Sequence, residues 1–375
     1  MTSPRFQPNR RQALAAAASL AVGLPGPALA QAGRSATILQ VVDTSPDQQD
    51  VAKDFLIGSR AAWQDFNSRG GLRGRTVQHS SLDVDGSPES LRAAVKTIRD
   101  TPACVALSGT VSGPVAGQLA ALLRKDGLQI AHVAPWLQNA SQEIDENTFP
   151  IFAARQEQIG HALRSLSAIG MQEVGAVFAS PREQALYRDD VARTAAELKL
   201  RLQSYQGSDL GQLGERLSTS SPAVLLFIGG TPELVQFTQG LEKRQRQRYL
   251  VALADVNLQT VQQMGGAKST SVIATQAVPM VTAGVPIVRR YRDVLARLFD
   301  EPPVALSLSG FIAAAYTQQV LGEIDGPWTR ASVLQAFQKR SPMDLGGFRI
   351  AFDNQRRSSN YVTQSMLTAD GRVVG

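Results

Sequence analysis

The chain has 375 residues, 43% of them hydrophobic, with a formal net charge of +6. That length can build two domains with a core each, and the apolar share argues against extensive disorder. Residues 1–32 hold Arg5, Arg10 and Arg11 and no acid; the remainder has 35 basic against 32 acidic residues, too slight an excess to imply a nucleic-acid partner.

Asn9-Arg10-Arg11-Gln12-Ala13-Leu14 leads into an alanine-rich apolar run, Ala15 to Leu24, with small residues at Ala28, Ala30 and Ala32. This order reads as an export signal over 1–32, cleaved after Ala30 or Ala32. The paired arginines resemble a twin-arginine signal, but ordinary secretory signals also carry such pairs, so the route stays open. No later segment approaches the roughly twenty apolar residues of a membrane span. The expected mature protein is soluble and periplasmic.

Thr37 to Val42 reads as a buried strand. Ala52, Phe55, Leu56, Ser59, Trp63 and Phe66 then recur at three- and four-residue spacing, which predicts a helix with one mostly apolar face. Gly70 or Gly71 ends it, and a strand follows over Thr76 to Leu82. Because this glycine-rich turn follows a helix and opens a strand, it lacks the setting of a phosphate-cradling loop. Ser87 is the expected cap of a helix to Arg99, with Pro88 at its first position. Strands at Cys104 to Leu107 and Gln129 to Val133 flank a helix over Val115 to Lys125. Cys104, the sole cysteine, reads as a small buried apolar residue.

After Phe149 to Ala153 the alternation restarts. Strands are expected at Glu173 to Phe178, Arg201 to Tyr205, Ala223 to Ile228, Tyr249 to Leu253 and Ser271 to Gln276. Helices near 157–169, 185–199, 232–244 and 257–264 separate them. The basic run Lys243 to Arg248 reads as a solvated helix end. Helices over 287–299, 306–324 and Ser332 to Lys339 follow, then β-rich segments at Phe348 to Phe352 and Tyr361 to Leu367. Alternating strands and helices imply an α/β fold with parallel sheets covered by helices.

Catalytic and metal signatures are wanting. His79, His132 and His161 stand apart without metal-ligand spacing, and read as packing or surface residues. Gly109 to Gly113 misses the Gly-x-Ser-x-Gly elbow by one position, and Gly265 to Thr270 lacks the Gly-Lys pair of a phosphate loop. Asp83 and Asp85 lack the further ligands of a calcium loop and suit a turn. No catalytic residue, metal or cofactor is expected.

Asn67-x-x-Gly70-Gly71-x-x-Gly74-Arg75, a strand, then Asp83-x-Asp85 and Ser87-Pro88-Glu89 form an ordered set of marks. Ser108-Gly109-Thr110, Ala134-Pro135, Gln276-Ala277-Val278-Pro279 and Val288-Arg289-Arg290-Tyr291-Arg292 continue it. Ser309-Gly310-Phe311-Ile312-Ala313-Ala314 and Asp344-Leu345-Gly346-Gly347-Phe348 complete it. Together they resemble the periplasmic substrate-binding proteins of ABC importers, branched-chain amino acid (Leu/Ile/Val) type, over nearly all of the chain after residue 36.

The resemblance implies the type I periplasmic binding fold: two Rossmann-like lobes joined by three hinge crossovers near 152–155, 277–280 and 344–347. Lobe one would be about 35–153 plus 279–345, and lobe two 154–278 plus 346–375. It implies a monomeric receptor that closes on a small-molecule ligand, an amino acid or related carboxylate, and delivers it to a membrane permease. Thr110 and Ser112, with Trp136 and Gln138 after the next strand, would meet the ligand carboxylate; helix capping is the competing role for the two hydroxyls. Asp255 would pair with the ligand ammonium, or cap the helix beginning near Asn257. Gly230, in Gly229-Gly230-Thr231, is a further cleft candidate.

The chain also departs from the pattern. Trp136 replaces a smaller residue and either narrows the pocket or stacks on a flat ligand. Leu186-Tyr187 stands for an aromatic-glycine pair, and Ser309 for a frequent glutamate. An aromatic or other carboxylate is therefore as well supported as leucine. A ligand sensor on the same fold and an α/β hydrolase or dehydrogenase are the alternatives; the latter lacks nucleophile, cofactor and metal signatures.

Overall fold

The computed structural model describes residues 36–243, 247–358, 361–368 and 372–374. The expected export signal over 1–32 and residues 244–246 of the basic run lie outside them. The first elements are β1 (Ala36–Asp43), α1 (Gln49–Ser68), β2 (Val77–Val84), α2 (Pro88–Asp100), β3 (Cys104–Ser108), α3 (Gly113–Lys125), β4 (Ala131–Val133) and β5 (Thr148–Phe149). Their sheet has the order β2-β1-β3-β4-β5, every pair parallel.

A second run follows: α4 (Arg155–Ala168), β6 (Glu173–Phe178), α5 (Pro181–Glu197), β7 (Arg201–Gln206), α6 (Leu210–Arg216), β8 (Val224–Ile228), α7 (Thr231–Leu241), β9 (Tyr249–Ala252), α8 (Leu258–Gln263) and β10 (Ser271–Gln276). Its five strands pair in parallel, in the order β10-β9-β8-β6-β7. The chain then returns to the first half with α9 (Pro286–Leu298), α10 (Ala305–Gly322) and α11 (Arg330–Gln338). After a small hairpin, β11 (Met343–Asp344) and β12 (Arg349–Ile350), it adds β13 (Thr363–Leu367) antiparallel to the β10 edge and β14 (Val373–Val374) antiparallel to β13. This is the expected α/β architecture of two helix-covered parallel sheets.

Two cores flank the first sheet. Val115, Leu119 and Leu123 of α3 join Cys104 and the inner face of α2 on one side, where burial pushes the Cys104 thiol up to about 11. On the other, Phe55, Trp63 and Phe66 of α1 pack with α9, α10 and α11. A Cβ at Gly58 would stand 1.6 Å from the Ser307 carbonyl oxygen, and one at Gly310 would stand 1.9 Å from that of Phe55. Only glycine lets these two helices cross with their backbones touching. Phe348 and Ile350 are buried in this same core, and the chain joins the second sheet only at Thr363.

Three local readings change. Arg248 is buried, its guanidinium donating to the carbonyls of Leu217, Ser218 and Pro222, so it is not part of a solvated helix end. The helix expected from 185 starts at Pro181, because Ser180 Oγ accepts the Glu183 N–H at 3.2 Å and proline suits the first turn. The short α6 escaped notice because two of its seven residues are glycine. No helix among the described residues is long and apolar enough to cross a membrane.

Candidate functional site

The loops after β1, β3, β4, β6, β8 and β9 all leave the carboxyl ends of parallel strands, where open α/β sheets place their ligands. Segments following all six contribute to one cavity of about 590 Å³, within the range of small-molecule sites. Its walls come from both halves: 47–51, 113–121 and 138–142 on one side, 179–187, 229–233 and Asp255 on the other.

Of the six candidate residues, Gln138, Gly230 and Asp255 line this cavity, whereas Thr110, Ser112 and Trp136 lie behind its wall. The Thr110 hydroxyl pairs with His132 Nε2 at 2.8 Å. Burial holds that histidine down at about 4, so it is neutral at pH 7. Ser112 Oγ donates to Asp43 Oδ2 at 2.6 Å and accepts the Val115 N–H at 3.2 Å, capping α3. Both hydroxyls are thus engaged within the protein. Trp136 packs against Phe55 and Phe152, at 5.8 and 5.3 Å between ring centroids.

Asp255 is not a helix cap, because Asn257 Oδ1 accepts the N–H groups of Gln259 and Thr260 instead. The residue is 5% exposed and its carboxylate is fully engaged. Oδ1 accepts Trp136 Nε1 at 2.7 Å, and Oδ2 accepts Arg155 Nε at 3.1 Å and Nη2 at 2.5 Å. The remaining Arg155 nitrogen, Nη1, pairs with Glu183. Burial disfavours the guanidinium charge, but Asp255 and Glu183 outweigh it and hold the proton more firmly than usual. Burial raises Glu183 even against Arg155, because Asp255 adds to the rise.

Tyr187 lines the cavity, donates to the Gln138 carbonyl at 3.2 Å and lies under Arg155, 5.4 Å from ring centroid to guanidinium. Among the bonds that tie the two halves are Trp136 to Asp255, Tyr187 to Gln138, and Asn257 Nδ2 to Asp54 Oδ2 at 2.6 Å. Burial pushes Asp54 up to about 6, against the opposing pull of the Asn257 bond and Lys53.

Arg155, Glu183, Glu233, Asp43 and Gln158 were missed by sequence reasoning. Arg155 did leave a signal: a cation at the first position of a helix opposes the dipole and calls for a nearby acid. Gln158 lies beneath the site with its amide fixed. Its Oε1 accepts the Ala254 N–H and the Thr275 hydroxyl, and its Nε2 donates to the Ala153 carbonyl and to Gln138 Oε1.

A family model described as periplasmic binding protein matches residues 36–370. A solved extracellular ligand-binding receptor from Verminephrobacter eiseniae is similar at TM-score 0.81 and 17% identity, covering 91% of this chain and 100% of that one. A substrate-binding periplasmic protein from Ralstonia solanacearum gives 0.79 and 20%, covering 90% and 99%. A branched-chain amino acid ABC transporter protein from Thermus thermophilus, solved with bound valine, gives 0.76 and 13%, covering 91% and 94%. No curated protein matches the chain.

Proposed function

The chain belongs to the periplasmic binding protein family, and from that premise we propose that it is an exported solute-binding receptor of an ABC importer. It captures a small carboxylate-bearing ligand, an amino acid or relative, and is not an enzyme. The observation that carries this reading is a cavity of about 590 Å³ walled by strand-end loops of both sheets. A ligand touching both walls favours the closed arrangement, since only differential affinity shifts such an equilibrium. The valine in the Thermus neighbour supports the ligand class.

The export signal would be removed after Ala30 or Ala32, and a membrane permease would receive the closed, monomeric receptor. Lobe one comprises about 35–153 plus 279–345 and lobe two most of 154–278 plus 346–375. We assign the β11–β12 hairpin to lobe one, because Phe348 and Ile350 pack there. Gln138, Gly230 and Asp255 form the ligand-facing wall, with Thr110, Ser112 and Trp136 supporting it from behind.

The test is a thermal-shift screen of the protein lacking residues 1–32 against amino acids, aromatic acids and dicarboxylates. A ligand that binds only the folded state raises the melting temperature with concentration. At least one carboxylate is expected to do so; silence across the panel removes the assignment.

A further inference from the structure

Five carboxylates and two guanidiniums line the cavity, with no lysine or histidine among its lining residues. Arg155 is held between Asp255 and Glu183, so it offers little to a ligand anion. Asp47 and Asp50 on the first wall and Glu233 on the second form none of the ion pairs among the described residues. Glu233 Oε2 is buried and has no hydrogen-bond partner.

A second observation comes from a neutral group. Gln138 is 4% exposed, and its Nε2 has no acceptor. Its orientation is dictated from below. The Ala254 N–H and the Ala153 carbonyl fix the Gln158 amide, so Gln158 presents a donor to Gln138. Gln138 must answer with Oε1, which leaves its Nε2 hydrogens for something in the cavity. The cavity thus combines an unanswered donor with three unpaired carboxylates against one unpaired guanidinium, that of Arg182.

We infer that the ligand is a net cationic solute, an amino acid with a basic side chain or a close amine relative, whose positive group pairs with Glu233 and whose carboxylate or carbonyl accepts from Gln138. The inference rests on the receptor reading above and narrows its ligand class. With Arg155 committed and Arg182 alone set against Asp47, Asp50 and Glu233, an anionic or neutral solute would leave the closed cleft net negative, a cost that a cationic partner relieves.

The experiment is isothermal titration with L-arginine, L-lysine, L-leucine and L-glutamate at low and high salt. Arginine or lysine should bind about tenfold or more tighter than leucine or glutamate, and lose more of its affinity as salt screens the carboxylates. Glu233→Gln should lower the affinity for the basic amino acid about tenfold and shrink its lead over leucine. Asp50→Asn, on the opposite wall, tests the same charge with a change that disturbs no other bond. Asp325→Asn alters net charge equally at an exposed site paired only with Arg73, and should leave the preference unchanged. Leucine or glutamate binding tightest overturns this inference and leaves the receptor reading standing. A basic preference untouched by both Glu233→Gln and Asp50→Asn overturns the site assignment. No binding by any of the four overturns the inference together with the amino-acid reading beneath it.

Discussion

Two strand-to-helix turns face each other across the cleft and are built from similar sequence: Gly109-Thr110-Val111-Ser112-Gly113-Pro114 after β3, and Gly229-Gly230-Thr231-Pro232 after β8. Each ends in a proline within the first turn of its helix. In the first, Ser112 caps the helix and Asp43 locks the serine, so the turn is closed within the protein. In the second, Gly230 brings no side-chain cap, and Glu233 hangs over it with an unpartnered oxygen. The same local motif is therefore structural on one wall and open on the other. What separates them is a carboxylate that sequence places 69 residues away.

The bridge between the walls should give the largest effect. Asp255→Ala removes the acceptor of Trp136 Nε1 and one of the two counter-charges of buried Arg155. Breaking a buried pair from one side costs about 3–5 kcal/mol, and Glu183 should keep the loss near the lower end. Chemical denaturation would show it as a lower midpoint. A loss below about 1 kcal/mol would mean that the two walls do not depend on this bridge. Asp43→Ala comes next: it strands the Ser112 hydroxyl and the Ser45 donors, for about 1–3 kcal/mol. If it proves neutral, the closed turn is no more fixed than the open one.

Much of the fold was legible because periodicity is local. The strands Glu173–Phe178 and Ser271–Gln276 match their sequence-based limits, since each is a short run bounded by loop residues. Ser87 caps its helix as expected, through a bond to Ser90 only three residues on. The site was less legible, for a topological reason. Arg155 and Asp255 meet across 100 residues, and Trp136 and Asp255 across 119. No spacing rule encodes such pairings; they follow from which strand ends the sheets bring together. The capping role open to Asp255 falls instead to Asn257, two residues later.

The Asp54–Asn257 bond is a tie between halves whose acid titrates near neutral pH. Asp54 is held up at about 6 chiefly by burial, with Asp50 and Glu301 adding to the rise and Lys53 opposing it. Its folded form therefore keeps a proton that the unfolded chain releases near the ordinary carboxylate value of about 4. The resulting stability is fully present below about 4 and lost as pH rises through about 6. The shift is worth about 2 kcal/mol after allowance for partial exposure. Buried neutral His132 acts in the opposite sense, losing stability as pH falls toward its own value of about 4. The informative quantity is thus the difference between the native protein and Asp54→Asn across pH 4 to 7. A difference that does not change over that range would place Asp54 in water and not between the walls.

The smallest change in stability, and the one that addresses the two turns most directly, is Gly230→Ala. Gly230 has φ −96°, a conformation open to any residue, so alanine there brings no backbone strain. Its Cβ would meet Glu233 Oε2 at 2.9 Å and next a proline carbon at 3.8 Å, and a carboxylate on a flexible stem can swing away. The matching change on the first wall, Gly113→Ala, drives a Cβ to 2.9 Å from Gln138 Cβ, which is anchored through its backbone and amide. Gly230→Ala should alter stability by less than about 0.5 kcal/mol, whereas Gly113→Ala should cost about 1–3 kcal/mol through overpacking. If the open turn tolerates alanine and the closed one does not, freedom at Glu233 is a property of that wall. Displacing its carboxylate should then weaken binding of a basic amino acid while the fold stays intact, separating the site from the scaffold that presents it.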